Sequence, residues 1–356
     1  MELGKNEEKN RNYLKEKKPY VFEKVSKFTE KYNRGESIAI IQLQYKYMCN
    51  MRCEHCSIEA YQKNARGKKS LTPKDVADLA RQADEMGLAR FVISGGEPTT
   101  FPDLDELVAA IDPEKFYINS DSNGYLLAEK AEHMKKIGID RIQLSIDSLN
   151  AEEHDEFRRK PGAWKRAMEG IDECQRIGLP LYIQTVVTKQ RLYSQEFIDF
   201  LTYFNKRGLN VFVSFAKPVG AYAGQYDSMV DAKDLAYERE LEKKYQLCTH
   251  LTPGYGLDMG CIGVKGFVSV TQYGDVQPCP YFHCSIGNIF DMPFKDIIQT
   301  GMNIKHFGEH MDTCMLAADL PWVKKYVADK IYGKPVPVSW TEVFGEEDRT
   351  VRPYWE

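Results

Sequence analysis

Residues 47–56 read YMCNMRCEHC and place three thiols, those of Cys49, Cys53 and Cys56, at C-x3-C-x2-C spacing. The stretch follows the first apolar run of the chain, which predicts a β-strand at 38–43. In a parallel α/β sheet, a loop after a strand lies at the carboxyl edge, where active sites are found. Three thiolates on one tight loop can hold an iron–sulfur cubane and leave one iron without a protein ligand. Zinc is the alternative interpretation, but it normally requires a fourth ligand nearby.

Strand and helix patterns alternate along most of the chain. The helix after Thr72 is well marked, because Thr72 and Asp75 can form a capping box, Pro73 takes the first helical position and Gly87 follows the end. Six strand–helix repeats predict a parallel sheet covered by helices. A complete eight-fold barrel takes about 250 residues, so six repeats favour an α/β fold with a partial, TIM-like (β/α)6 barrel. The remaining predicted strands lie at 90–93, 116–119, 141–146, 181–187 and 211–215.

The composition excludes several classes of protein. A hydrophobic fraction of 43% and a charged fraction of 28% are ordinary for a globular chain of 356 residues. No apolar run is long enough for a transmembrane helix, and the N-terminus is too polar for a signal peptide. A net charge of −4 argues against binding nucleic acid by bulk charge. We therefore expect a cytoplasmic protein with neither a nucleic-acid nor a membrane partner, whose clustered cysteines bind metal rather than form disulfides.

We expect four segments. Residues 1–36 form a charged helical extension, unstructured for about its first dozen residues; beyond these, Val21, Val25, Phe28 and Tyr32 fall at helical spacing. Residues 37–247 form the partial barrel. Residues 248–320 are rich in glycine and cysteine, with a hairpin at 267–271 and 276–278 that turns at Gly274. Residues 321–356 are an aromatic tail, which we expect to pack back on the body.

Further motifs follow the next predicted strands. Ser94-Gly95-Gly96-Glu97-Pro98 follows the second, and polar residues end the third and fourth. With the cysteine loop, these motifs resemble the radical SAM enzymes in type and order. Paired glycines let backbone approach a ligand, and an acid accepts strong hydrogen bonds from an ammonium. The resemblance implies that Cys49, Cys53 and Cys56 ligate a [4Fe-4S] cluster, and that S-adenosylmethionine is bound by Gly95, Gly96, Glu97, Ser122, Asn123, Ser145 and Arg158, with Arg159 as the alternative to Arg158.

The C-terminal segment carries a second resemblance. Cys261, twelve residues, Gly274, four residues and Cys279 resemble the opening of a SPASM or twitch extension, as does the stretch beginning at Gly287. Such extensions bind auxiliary iron–sulfur clusters, but the usual closing C-x2-C is absent at Cys314. An auxiliary [4Fe-4S] cluster held by Cys261, Cys279, Cys284 and Cys314 is the interpretation that we favour. The alternatives are Cys248 as a substitute ligand, an open site with three cysteines, and an extension that has lost its metal.

The resemblance also implies a chemistry. Members reductively cleave S-adenosylmethionine to a 5′-deoxyadenosyl radical, which abstracts hydrogen from a substrate carbon, and they take electrons from a low-potential donor such as flavodoxin or ferredoxin. We expect a radical SAM oxidoreductase or epimerase that oxidises, cross-links or epimerises a peptide. The same chemistry on a sugar, aminocyclitol or other small molecule is the alternative. Cys248 is a candidate hydrogen donor for epimerisation, whereas Cys174 reads as a buried structural thiol. Hypotheses of another class are a non-catalytic iron–sulfur redox or sensor protein and a zinc-stapled binding module.

Overall fold

The computed structural model describes residues 5–63 and 68–350. Its main sheet has ten strands in the order β11-β9-β8-β1-β2-β3-β4-β5-β6-β7, and β10 pairs with β12 apart from it. The strands are β1 (Ile40–Lys46), β2 (Arg90–Gly95), β3 (Tyr117–Ser122), β4 (Arg141–Ser145), β5 (Leu181–Val187), β6 (Val211–Phe215), β7 (Leu247–Cys248), β8 (Phe267–Val270), β9 (Asp275–Gln277), β10 (Cys284–Ser285), β11 (Gly287–Asn288) and β12 (Val338–Ser339).

Strands β1 to β6 are consecutive, parallel and joined through helices, as the partial (β/α)6 barrel requires. The predicted fold class is therefore confirmed. Strands β5 and β6 have the predicted bounds, whereas β1 extends three residues beyond its predicted end. The extension occurs because β1 stays paired with β2 as far as Lys46 and Gly95, across an irregularity in register.

The helices that connect β1 to β6 pack their buried residues against the outward side chains of these strands. The capping box between Thr72 and Asp75 is formed, and the helix that it starts runs over Pro73–Glu85. The other α-helices are Lys5–Lys17, Pro19–Ser26, Phe28–Asn33, Glu59–Lys63, Leu104–Ile111, Leu127–Ile137, Ala151–Arg158, Ala163–Ile177, Lys189–Leu192, Gln195–Lys206, Ala232–Glu242, Phe294–Met302, Lys305–Gly308, Met315–Ala318, Leu320–Val323 and Trp340–Val343. Short 3₁₀ turns lie at Pro98–Thr100, Gly220–Tyr222, Tyr226–Ser228 and Glu346–Asp348, and a π turn at Lys324–Ala328.

The two faces of the sheet differ in chemistry. Successive strand residues point to opposite sides, and outward side chains such as Ile41, Leu43, Ile93 and Val213 are fully buried in the apolar core. The inward side chains line a cavity and are largely polar. They include Gln42 and Gln44 of β1, Ser94 of β2, Asn119 and Asp121 of β3, Gln143 and Ser145 of β4, Gln184 of β5 and Ser214 of β6. The inward face of the strands therefore presents polar side chains to a cavity, whereas the outward face is apolar.

The predicted hairpin forms from β8 and β9 and joins the same sheet as the barrel. Strand β8 lies parallel to β1, with Ile40 beside Phe267 and Leu43 beside Val270. Strand β9 pairs antiparallel with β8, and the turn between them contains Gly274 at a φ of 81°. The C-terminal segment thus continues the sheet at its β1 edge, and three of its cysteines, Cys261, Cys279 and Cys314, reach the same cavity as those of the barrel.

The N-terminal and C-terminal segments of the described chain pack on the body. At the N-terminal end, Val21, Val25 and Phe28 are buried as predicted, and Tyr32 packs against them. The expectation of about a dozen unstructured residues is wrong from Lys5 onward, since Lys5–Lys17 is helical; residues 1–4 lie outside the described part.

The aromatic tail packs back as predicted. Trp322, Tyr326 and Phe344 form one aromatic cluster with Phe282 and His306. Tyr354 and Trp355 lie outside the described residues. None of the helices in the described ranges is long and apolar enough to cross a bilayer.

Candidate functional site

The cysteine loop continues directly from β1 and is held from both sides. On one side, the Gly96 N–H donates to the carbonyl of Lys46 at 2.7 Å and the Glu97 N–H donates to that of Met48 at 2.9 Å. On the other side, the Ala221 N–H donates to the carbonyl of Cys56 at 3.0 Å. The loop that carries the three thiols is therefore fixed between the carboxyl ends of β2 and β6.

Gly95 and Gly96 make this attachment sterically feasible. A Cβ atom on Gly96 would lie 1.8 Å from the carbonyl oxygen of Met48, and one on Gly95 would lie 2.4 Å from that of Lys46. Gly95 also has a φ of 124°, which side-chain-bearing residues rarely adopt. The glycines thus pack against the backbone of the cysteine loop, a role that the sequence interpretation, which placed them against a ligand, did not include.

Glu97 joins the ends of β2 and β3. Its buried carboxylate accepts hydrogen bonds from Ser122 Oγ at 2.9 Å, from the Asn123 N–H at 2.7 Å and from Thr99 Oγ1 at 2.7 Å. Burial raises the pKa of Glu97, while these hydrogen bonds oppose the shift. Asn123 in turn donates to Asn50 Oδ1 at 2.8 Å and lies 3.8 Å from Cys49 Sγ. Three predicted site residues therefore meet beside the cysteine loop.

Arg158 lies on the other flank of the loop. Its Nε and Nη2 donate to Asp147 Oδ2 at 2.7 and 2.6 Å, and its Nη1 lies 3.8 Å from Cys53 Sγ. Burial is the largest single influence and would raise the pKa of Asp147, but the charges of Arg158, His55 and His154 together outweigh it and hold that pKa well below its usual range. The alternative candidate, Arg159, is exposed and closes the preceding helix at a φ of 50°. The guanidinium beside Cys53 is therefore that of Arg158.

Cys261, Cys279 and Cys314 form a second group of thiols. All three line the cavity that the cysteine loop also lines. Burial raises the pKa of Cys279 to about 12, and the nearby Cys261 and Cys314 add to the shift. The Cys261 N–H donates to the carbonyl of Met311 at 2.7 Å, which fixes Cys261 beside the segment leading to Cys314. The hairpin and the following helices thus bring together three of the four thiols predicted for the auxiliary cluster.

Cys284, the fourth predicted ligand, lies apart from that group. It is fully buried in β10, next to Val338 of β12, and is not among the residues that line the cavity. Its pKa is raised well above the usual value by burial alone, without the influence of another thiol. Among the alternatives in the sequence analysis, the geometry favours the open site with three cysteines.

The two remaining thiols, those of Cys248 and Cys174, are not among the residues that line the cavity. Cys248 ends β7, where burial and then the carboxylates of Glu242 and Glu238 raise its pKa to about 12. Cys248 is not itself a lining residue, although its strand partner Phe212 and the following Thr249 are, so its role as a hydrogen donor stays a prediction. Cys174 is fully buried within Ala163–Ile177, as the interpretation of a structural thiol predicts.

The donor set fits iron–sulfur clusters. Within residues 5–63 and 68–350, no three His, Cys, Asp or Glu side chains are placed to hold a single metal ion. The thiolates of a cubane each bind a different iron, so they need not converge on one point. Burial raises the pKa of Cys49 to about 12 and that of Cys56 to about 11. Cluster assembly on these thiols must therefore release protons.

One cavity of about 610 Å³ connects both groups of cysteines. Its wall consists of the inward residues of β1 to β6, the cysteine loop and the segment that carries Cys261, Cys279 and Cys314. Glu97, Ser122, Asn123, Ser145 and Arg158 also line it. A ligand in this chamber would therefore lie between the two thiol groups.

The sequence analysis missed three polar residues of this site. Asp147 lies two residues after Ser145 and has no role in the sequence analysis, although it positions Arg158. Lys217 and His250 line the cavity and were not considered. The signal for Lys217 is a lysine two residues after an apolar strand, at the sheet edge where the other candidates lie. His250 follows β7 in the same way, after a strand too short to predict.

Comparisons with known proteins agree with this geometry. The family model "Radical SAM superfamily" matches residues 44–214, and the model "Iron-sulfur cluster-binding domain", named SPASM, matches 261–316. The AdoMet-dependent heme synthase of Methanosarcina barkeri is 30% identical over 280 residues, covering 70% of this chain and 78% of that protein. The GTP 3′,8-cyclase of Helicobacter pylori is 33% identical over 178 residues, covering 49% and 54%.

A solved structure shares the fold at low identity. Streptococcus suis SuiB bound to the precursor peptide SuiA superposes with a TM-score of 0.58 at 18% identity, covering 78% of this chain and 69% of that one. The two matched domains confirm the predicted cofactors, [4Fe-4S] clusters and S-adenosylmethionine. The chain belongs to the radical SAM superfamily, in the group whose members carry a C-terminal SPASM domain.

Proposed function

We propose that this radical SAM enzyme abstracts a hydrogen atom from a carbon of a substrate held in the cavity between its two groups of cysteines. The observation that carries the proposal is the single chamber of about 610 Å³ that both groups line. When bound, the cluster and S-adenosylmethionine supply an electron and a 5′-deoxyadenosyl radical, the species that attacks the substrate. The protein's own part is to hold these groups, orient the substrate and exclude water and oxygen.

The residues of the first site have distinct proposed roles. Cys49, Cys53 and Cys56 hold the cluster and leave one iron open to the cofactor. Glu97 locks Ser122 and Asn123 at the cavity wall through the hydrogen bonds described above, and their polar edges, with Ser145, face the cofactor. Arg158 keeps one nitrogen beside Cys53 while Asp147 fixes its other two. This pairing makes Arg158 a rigid donor for the carboxylate of S-adenosylmethionine.

For the second site we propose an auxiliary [4Fe-4S] cluster on Cys261, Cys279 and Cys314, with one iron open to the chamber. Support comes from the position of the three thiols on the cavity wall and from the burial of Cys284 away from it. An open iron can bind a substrate atom directly or accept an electron from a substrate radical. A two-electron oxidation is then a natural outcome, with flavodoxin or ferredoxin as the proposed donor to the first cluster.

The substrate that we favour is a rigid small molecule of the tetrapyrrole type. The support is sequence similarity to an AdoMet-dependent heme synthase over 70% of the chain. The peptide substrate preferred in the sequence analysis stays a prediction, because the similarity to SuiB lies at 18% identity and concerns the fold. Epimerisation through Cys248 is less favoured, since this thiol is not a lining residue of the chamber.

The experiment is reductive cleavage of S-adenosylmethionine by the anaerobic protein with dithionite. The wild type should release 5′-deoxyadenosine, and Cys53→Ala should abolish the release, because only two thiolates then remain on the loop. Cys174→Ala, which removes a core thiol far from the cavity wall, is the matched control and should retain it. Release by Cys53→Ala at the wild-type level would refute the proposal.

Deuterium transfer into 5′-deoxyadenosine from a deuterated porphyrin carboxylate, or from a deuterated peptide, separates the two substrate classes.

A further inference from the structure

The ammonium group of Lys217 lies buried in the cavity wall, and within residues 5–63 and 68–350 it has no anionic partner. Lys217 follows β6 and has 7% of its surface exposed. Its Nζ donates to the carbonyl of Phe215 at 2.8 Å and to Ser214 Oγ at 3.2 Å, and it lies 4.3 Å from the ring centre of Tyr281. Among the residues that the structure describes, none offers it a carboxylate at ion-pair distance or a third acceptor.

Such an arrangement is costly unless a ligand completes it. An ammonium has three N–H donors, and Lys217 uses two of them on neutral oxygens. A buried cation is normally paired or bound to several acceptors, because the protein interior solvates it poorly. Lys217 lines the chamber, so its unused third N–H is available to a ligand there. The missing partner is therefore expected from the ligand side of the cavity.

The surroundings define the charge of that partner. His250 also lines the cavity, and burial, followed by the charge of Lys217, lowers its pKa to about 3. The imidazole is thus neutral at physiological pH, so His250 adds no positive charge beside the Lys217 ammonium. One cation with one open N–H suits a monoanionic carboxylate better than a phosphate dianion, which takes several donors. The nearby aromatic wall, which includes Phe282 and Trp322, suits an apolar body attached to the carboxylate.

We propose that Lys217 is the substrate anchor, a site in the chamber beside Cys261 that binds a carboxylate carried on an apolar ring or chain. The inference rests on the proposed function, whose substrate occupies the same chamber. Cys261 is close enough to Lys217 for the ammonium to influence its thiol, yet no cysteine sulfur of the described chain lies within hydrogen-bond distance of Nζ. The anchor would hold the carboxylate end of the substrate near Cys261, Cys279 and Cys314. The reacting carbon of the substrate would then point toward the loop that carries Cys49, Cys53 and Cys56.

The test uses fluorescent probes on the cluster-loaded enzyme. 1-Pyrenebutyrate carries a carboxylate on an apolar ring system, and 1-pyrenebutanol is its neutral counterpart; iron–sulfur clusters quench the fluorescence of either when bound. The wild type should bind the carboxylate about 10- to 100-fold more tightly than the alcohol, the range expected of a charge-assisted hydrogen bond. Lys217→Gln should lose this preference and Lys217→Arg should keep most of it. Lys206→Met, which removes an exposed lysine at the end of Gln195–Lys206, should leave it unchanged.

The outcomes separate this proposal from the previous one. If the wild type bound the two probes equally, the proposed anchor would be overturned whatever the variants do. The proposal can therefore be refuted even if a variant fails to fold. If Lys217→Gln retained the preference for the carboxylate probe, the anchor would be overturned too. If the same variant also shifted the midpoint potential of the auxiliary cluster, the ammonium would be assigned to the cluster instead of the substrate. Release of 5′-deoxyadenosine by the wild type reports on the proposed function alone. The probe preference and this release are independent, so one proposal can be refuted while the other stands.

Discussion

Single residues of this protein show how burial and pairing set the chemistry of the chamber. Asp147 and Arg158 form an ion pair in which both side chains are less than one-tenth exposed, at 6% and 8%. The lowered pKa of Asp147 means that its stabilising contribution is present above the unfolded pKa and is lost only in strong acid. The pair therefore holds across the physiological range, and Arg158 keeps its position beside Cys53 there.

Asp121 has the opposite behaviour and gives a pH-dependent prediction. Burial raises its pKa to about 6, against the opposing influence of hydrogen bonds from Ser94 and Gln42, and the Gln42 amide donates to Oδ2 at 3.1 Å. A raised carboxyl pKa destabilises the fold as the pH rises from the unfolded value through the folded one. Asp121→Asn should therefore be more stable than the wild type, by a margin that widens by about 2 kcal/mol between pH 4.5 and pH 8.

Urea unfolding of the anaerobic protein at the two pH values measures that margin. Asp291→Asn removes an exposed carboxylate and is the control, and its stability margin should widen less between the two pH values than that of Asp121→Asn. A constant margin for Asp121→Asn would contradict the assignment of a raised pKa to this carboxyl group.

At the scale of elements, the site is produced by contacts between the ends of strands. The cysteine loop after β1 is fastened to the end of β2 by backbone hydrogen bonds, and it meets the turn after β6 at Gly220. A Cβ atom on Gly220 would lie 2.5 Å from the carbonyl oxygen of Cys56. Three segments that are distant in sequence thus share one tightly packed backbone junction, and the thiols project from it.

Gly96→Ala tests the importance of this junction. The added methyl group would meet the backbone of Met48 and Cys49, which has no side-chain freedom to yield, so the loop must move away from β2. We expect a destabilisation of about 3 kcal/mol or more and loss of the first cluster. Iron content and urea unfolding under anaerobic conditions measure both effects.

Gly254→Ala is the matched control, because its added methyl group meets no atom within 4 Å. It should keep the iron content and stability of the wild type. If Gly96→Ala retained full iron and wild-type stability, the proposed close packing of the cysteine loop on β2 would be incorrect.

At the scale of the whole molecule, the SPASM segment and the barrel share one sheet and one cavity. Strand β8 extends the sheet beside β1, so the second group of cysteines is brought to face the loop that follows β1. The boundary that the sequence analysis placed near residue 248 stays a proposal. The shared sheet favours treating the two segments as one cooperative unit.

Iron counting by Mössbauer spectroscopy gives the whole-molecule prediction. The wild type should bind about eight irons per chain, four for each cluster. A triple variant in which Cys261, Cys279 and Cys314 are replaced by alanine should bind about four. Cys284→Ala should remain at the wild-type count, because its thiol is buried in β10 away from the cavity. A fall of the Cys284→Ala count to that of the triple variant would make Cys284 a ligand, and four irons in every variant would exclude the auxiliary cluster.

Local sequence was sufficient to predict most strands and helices of the barrel and the first group of thiols. Periodicity, the Thr72 cap and the spacing of Cys49, Cys53 and Cys56 act over a few residues, so they can be recognised without knowing which elements meet. Only the tertiary structure decided which distant side chains share an environment. It put Cys284 in a buried strand away from Cys261, paired Arg158 with Asp147, and left the Lys217 ammonium without a carboxylate in the chamber wall. The physical reason is that burial and pairing depend on which strand ends the sheet brings together, a long-range property that no local pattern records.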